Sequence, residues 1–183
     1  MTSSDEDGLD LAGLKRKYAE ERAKRMRNEG LGQFVDLDSQ FGHLADDPWS
    51  QPRPRDPVEE DVTVLVIGAG MGGLLLGAEF HKKGISDFRI VDKAGDFGGT
   101  WYWNRYPGCA CDIESYVYLP LLEETGYIPS EKYAKATEIF RYCKSIAEHF
   151  ELVDKTLFHT GVESAHWDEE ALRWVITTDR GDR

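Results

Sequence analysis

VTVLVIGAGMGGLLL, residues 62–76, decides the fold. Val62, Val64 and Val66, with Leu65 and Ile67, form a short apolar run that ends on glycine, as a parallel strand buried on both faces would. Gly68, Gly70 and Gly73 then repeat the spacing G-x-G-x-x-G. Leu74, Leu75, Ala78 and Phe80 follow at helical positions before Gly84, so a helix is expected over 68–83 with its stop signal in place. Phe88, Ile90 and Val91 read as a second strand, and Asp92 closes it 19 residues (92 − 73) after Gly73. Together they make a strand–glycine turn–helix–strand–acid unit, which binds dinucleotides. Gly68 makes the tight turn, Gly70 lets backbone approach a pyrophosphate, and Gly73 lets helix and strand pack closely. Met71 and Gly72, in the first helical turn, present free N–H groups and partial positive charge to that pyrophosphate. Asp92 is expected to accept hydrogen bonds from the adenosine ribose.

The spacing alone does not choose between NAD and FAD. The next stretch, DKAGDFGGTWYWNRYPGCACDIESYVY (92–118), carries two Trp, four Tyr, one Phe and four Gly in 27 positions. Gly98 and Gly99 allow backbone to cross close to a long dinucleotide just after the ribose acid. After Thr100, the aromatics Trp101, Tyr102 and Trp103 then form a wall that shields a planar group from water. Some of these rings must instead form a small core under the loop. A simple NAD-dependent dehydrogenase needs no such wall here, and no catalytic Tyr-Lys or His-Asp arrangement is in register.

Working outward, Thr137 is a plausible N-cap for a helix over 138–150, with Ile139, Tyr142, Cys143, Ile146 and Phe150 on one face. Strands are expected over 156–162, 163–167 and 174–178, the last two joined by a turn over 168–171. Upstream, Leu9–Asn28 reads as a helix with Glu20–Lys24 and Glu21–Arg25 pairs. Its apolar stripe (Leu11, Leu14, Tyr18) covers only two turns, and seven of the thirteen residues from Lys15 to Arg27 are basic. Four prolines between 48 and 58 suggest an extended linker. The expected organisation is an N-terminal extension (1–58) followed by a partial dinucleotide-binding domain (59–183). The chain stops in a turn directly after a strand, which leaves a ladder edge open. It therefore reads as a fragment of a longer enzyme, unstable and inactive alone.

A length of 183 residues, 40% hydrophobic and 31% charged, fits a globular chain. Net charge −12 argues against nucleic acid as a partner. No membrane span or secretory signal is present in the sequence. The cysteines (Cys109, Cys111 and Cys143) are odd in number and include no CxxC, which suits a reducing, cytoplasmic setting and no metal site.

GAGMGG and VDKAGDFGGTWYWNRYPGCACDIESYVY together resemble the N-terminal part of Baeyer–Villiger monooxygenases, with the likeness running from about Val62 onward. The fold this implies is α/β, a Rossmann-like FAD-binding domain with a parallel sheet, cut within a β-meander. The implied function is FAD- and NADPH-dependent insertion of one oxygen atom of O2 beside a ketone carbonyl, giving an ester or lactone. By the same resemblance Asp112 is the active-site carboxylate supporting an arginine supplied by the rest of the parent chain. Thr100, Trp103 and Tyr118 match FAD-contacting positions, and Val162 matches a backbone contact to the adenine end. Two residues depart from the family pattern. Asp92 stands where Glu is usual, and Ala110 stands where Arg is frequent, which weakens any contact from that position to the nicotinamide cofactor. Rival readings are a flavin monooxygenase oxidising nitrogen or sulfur and a non-catalytic nucleotide-binding remnant.

Overall fold

The computed structural model describes residues 10–34, 42 and 46–183, which divide into two compact units at Asp46/Asp47. In the first unit, α1 (Leu11–Arg25) is opened by Asp10, whose side chain accepts the Gly13 N–H at 2.8 Å. Glu21 pairs with Lys24 at 2.7 Å and with Arg25 at 3.6 Å. No residue of α1 is buried, so the short stripe Leu11–Leu14–Tyr18 lies on an exposed face.

In the second unit, β1 (Val64–Ile67), α2 (Met71–Lys82) and β2 (Phe88–Val91) form the expected crossover, with β1 and β2 parallel and Val66 opposite Ile90. β3 (Thr156–Leu157) joins the other side of β2, also parallel, giving the order β1-β2-β3. β4 (Val162–Asp168) and β5 (Arg173–Thr178) make a separate antiparallel hairpin, with an irregular register between Val162 and Ser164. Between β2 and β3 in sequence lie three one-turn helices, α3 (Thr100–Trp103), α4 (Ser115–Tyr118) and α5 (Leu122–Thr125), and the long α6 (Ala136–His149).

The core forms where α2 and α6 pack beside the sheet. Leu74, Ala78, Ile90, Ile139, Cys143, Ile146 and Ala147 are completely buried there. Packing on α2 is close: a Cβ on Gly77 would lie 2.7 Å from Cδ1 of Leu152, in the segment after α6.

Several boundaries differ from the sequence reading, each for a local reason. The first strand starts at Val64 because the Thr63 N–H and hydroxyl both donate to Asp87 instead of a ladder. The N-cap of α6 is Lys135, not Thr137. Lys135 is held extended in a bridge with Ala110, and the Ala136 N–H donates to the Cys109 carbonyl, so the helix begins earlier. The expected strand over 156–162 is split: Thr156 and Leu157 pair with β2, and Val162 opens β4 instead. His159 then takes φ +49°, and the His159 and Thr160 N–H groups bond the carbonyls of Ala94 and Asp92 in the loop after β2. The hairpin turn is shifted by one residue, to 169–172, ending on Leu172 at φ +50°, with Asp168 Oδ1 accepting from the N–H groups of Glu170 and Ala171.

The proline-bearing segment forms no helix or strand, and its residues bond to the C-terminal part of the second unit. The Arg55 guanidinium donates to both Asp182 oxygens and to Thr160 Oγ1, and Asp182 Oδ1 also accepts the Val58 N–H. All three cysteines are buried thiols, and among the described residues no group of His, Cys, Asp or Glu is arranged to hold a metal.

Candidate dinucleotide site

At the C-terminal end of β1, Gly68 takes φ +106° and donates its N–H to Val91 O at 2.8 Å. Only glycine reaches that conformation without strain, so the chain can turn directly from strand into helix. Gly70 is the N-cap of α2 and makes no side-chain cap, which leaves the first N–H groups of the helix, at Met71 and Gly72, free for an anion. Gly73 is buried against the turn, and a Cβ there would lie 2.0 Å from Gly68 O. The third glycine of the motif is therefore the packing glycine.

The second glycine pair meets this turn from the other side. Gly98 (φ +123°) donates its N–H to Ala69 O at 3.0 Å, and Gly99 (φ +55°) caps α3. A Cβ on Gly70 would sit 3.4 Å from Gly99 Cα, and one on Gly99 would sit 2.9 Å from Gly70 Cα. Two glycine-lined backbones thus run side by side at the head of α2. A long phosphate-bearing ligand fits such a cradle because no side chain stands in it.

Asp92 ties the cradle together. Its Oδ2 accepts the Ala69 N–H at 2.6 Å and its Oδ1 accepts the Ala94 N–H at 2.7 Å. A carboxylate offers about four lone-pair sites, so each oxygen keeps one for a ribose hydroxyl. Thr100 opens α3, where its carbonyl and Oγ1 accept from Asn104 Nδ2 at 2.9 and 3.1 Å.

The aromatic residues divide into two sets. Trp101 and Tyr102 are buried, and the Trp101 indole N–H donates to Tyr118 Oη at 2.8 Å with the rings edge to face. Burial pushes the Tyr118 hydroxyl above its ordinary pKa, although the Trp101 bond opposes this. These rings form the small core under the loop. Trp103 is half-buried at the end of α3. Asp112 is exposed in the loop before α4. Val162 opens β4, two residues after the Thr160 N–H that bonds Asp92 O. The structure therefore brings together Gly68, Gly70, Met71, Gly72, Gly73, Asp92, Gly99 and Thr100, while Asp112 and Val162 lie on separate segments.

Sequence reasoning missed a polar cluster beside the cradle. Asp47 Oδ2 accepts from Tyr102 Oη at 2.5 Å and from the Gly95 N–H at 3.1 Å. Asp47 Oδ1 accepts from the N–H groups of Trp49 and Ser50. Ser50 Oγ lies 2.9 Å from Tyr102 Oη and 3.1 Å from His159 Nε2. Burial would push the Asp47 carboxyl up, but the bonds it accepts outweigh this and hold it below the ordinary value. Burial and the Asp47 carboxylate both raise the Tyr102 hydroxyl. The one local signal was Asp47 placed to accept from the N–H groups two and three residues on, an Asx turn.

The NAD(P)-binding Rossmann-like domain family matches residues 66–142. Neopentalenolactone D synthase from Streptomyces avermitilis is 52% identical over 175 residues, 95% of this chain and 30% of that protein. A Baeyer-Villiger monooxygenase from Streptomyces coelicolor is 50% identical over 94% of this chain and 29% of its own length. Among solved structures, the polycyclic ketone monooxygenase of Thermothelomyces thermophila superposes with TM-score 0.74 at 44% identity, covering 94% of this chain and 30% of that one. OTEMO in complex with FAD and NADP gives TM-score 0.61 at 32% identity, covering 69% and 24%. The chain is thus a homologue of Baeyer–Villiger monooxygenases, and it spans about 30% of the length of these relatives.

Proposed function

We propose, with this homology as premise, that the sequence is the FAD-binding part of an NADPH-dependent monooxygenase that inserts one atom of O2 beside a ketone carbonyl. FAD reduced by NADPH supplies the oxygen activation, and ketone, O2, NADPH and H+ become ester or lactone, NADP+ and water. The observation that carries this reading is the paired backbone of Gly70 and Gly99 across the head of α2, reached from Asp92. The first N–H groups of α2, Met71 and Gly72 included, hold the pyrophosphate, and Asp92 holds the ribose. Gly99, Thr100 and Trp103 border the flavin end, with Trp101 and Tyr118 bracing them from below, and Val162 offers backbone to the adenine. Asp112 supplies a carboxylate near the flavin for an arginine outside these residues. Ala110 contributes no charge to NADPH.

The wider setting follows from the same reading. Among the described residues no helix is long and apolar enough to cross a membrane. The net charge of −12 suits an enzyme of a small-molecule ketone rather than one acting on nucleic acid, and three buried free thiols suit a cytoplasmic setting.

In the full-length protein, Gly70→Val should abolish FAD binding, because a branched side chain would fill the gap to Gly99. Retention of one tightly bound flavin per chain in that variant would overturn the reading. Asp112→Ala should leave the flavin bound while ester formation collapses and NADPH consumption continues unproductively. An unchanged ratio of ester formed to NADPH consumed would remove Asp112 from the site.

A further inference from the structure

We propose that Asp47 is a positioning residue: with Trp49 and Ser50 it clasps the Gly95–Trp103 segment at both ends and holds it against the fingerprint turn. The segment needs an external hold. It contains Gly95, Gly98 and Gly99, two of them at positive φ, and glycine loses more conformational freedom on ordering than any other residue. Of its own backbone bonds, the Gly98 N–H to Ala69 O is the one that ties it to the first glycine turn.

The clasp supplies what that single bond lacks. At the near end, Asp47 Oδ2 takes the Gly95 N–H, and the arm lies so close that a Cβ on Gly95 would sit 1.9 Å from Ser50 Oγ. At the far end, Tyr102 Oη donates to the same Asp47 oxygen, and the Trp49 indole N–H donates to Trp103 O at 3.3 Å. One carboxylate oxygen therefore bridges both sides of the Gly98–Gly99 pair. Arg105 closes the arrangement from outside, its guanidinium 4.6 Å from the Trp49 ring centroid and 4.7 Å from that of Tyr102. The Asp47 side chain is only 6% exposed: Oδ1 accepts the Trp49 and Ser50 N–H groups, and Oδ2 accepts from Ser50 Oγ at 3.2 Å as well as gripping the loop.

This inference rests on the dinucleotide reading of the cradle, and asserts that residues which touch no ligand set its affinity by ordering the loop beforehand. The test uses the full-length protein and the variants Asp47→Asn and Tyr102→Phe. The amide keeps one acceptor but puts a donor where two donors converge, and the phenylalanine keeps the ring. Two readouts are needed: hydrogen exchange of the 95–103 amides without ligand, and FAD affinity by flavin fluorescence. We expect exchange in 95–103 to accelerate at least tenfold while β1 and β2 stay protected, and FAD to bind about tenfold more weakly. Turnover at saturating FAD should stay within about twofold. Unchanged exchange would remove the clasp, and fast exchange with unchanged FAD affinity would remove its positioning role. Protection lost equally from β1 and β2 would reduce Asp47 to general stability and also overturn the proposal. If the wild type binds no FAD, the flavin reading falls separately, and local acceleration of 95–103 alone still supports the clasp.

Discussion

Gly72 and Gly73 are adjacent, both lie in α2, and they should respond to the same substitution with opposite sign. A Cβ on Gly72 meets nothing within 4 Å, whereas one on Gly73 would meet Gly68 O at 2.0 Å. Gly72→Ala should therefore stabilise the fold by about 0.5–1 kcal/mol, the helical preference of alanine over glycine. Gly73→Ala should cost about 1–3 kcal/mol or more, because backbone must move away from backbone. Urea unfolding of the two variants measures both, and equal effects would contradict the packing role of Gly73. Cys143 makes a chemical counterpart at the same scale. Its side chain is fully buried, and burial pushes its thiol up to about 12. A thiolate-seeking reagent such as Ellman's reagent should leave Cys143 unmodified at pH 8 in the folded protein and label it once urea has unfolded the chain.

At the scale of elements, what was legible in the sequence was what is local and periodic. The run Val64–Ile67, the glycine turn, α2 and β2 form one continuous pattern in which every signal agrees, and they occur in the expected order, with β1 beginning two residues and α2 three residues later than the sequence puts them. α6 was equally readable from Ile139, Tyr142, Cys143 and Ile146, all buried on one face. Its start was not, because Lys135 is held by a bridge to Ala110, a partner that sequence spacing does not reveal. The helices α3, α4 and α5 have four residues each, too few for any 3.6-residue period to show. The clasp was hidden for a stronger reason. Ser50 meets Tyr102 and His159 across separations of 52 and 109 residues, and four prolines around it signalled only a linker. The cradle was thus readable and its support was not. Because α6 covers the sheet with fully buried residues, Ile146→Ala should cost about 2–5 kcal/mol in urea unfolding, and a loss under 1 kcal/mol would mean that α6 packs loosely.

At the scale of the whole second unit, the arm is held again at Arg55. Its guanidinium beside Asp182, reinforced by the Val58 N–H and Thr178, overcomes burial and holds that carboxyl well below the usual carboxylate range. A carboxyl depressed in the folded state stabilises fully above its unfolded value, and that stability disappears as pH falls through the folded one. Asp182→Asn should therefore weaken the fold at pH 7, with the gap to wild type constant down to about pH 5 and shrinking steadily below it. A gap independent of pH between 5 and 2.5 would show that the pair does not titrate as described. The same contact carries a consequence for biosynthesis. Arg55 and Asp182 are separated by 127 residues. At roughly 5–20 residues per second, the ribosome delivers the second about 6–25 s after the first. Gly95, Tyr102 and His159, the partners of Asp47 and Ser50, all emerge before Asp182 does. The order of translation therefore fastens the arm from its Asp47 end first, and a nascent chain waiting for Asp182 already has the means to shape its glycine cradle.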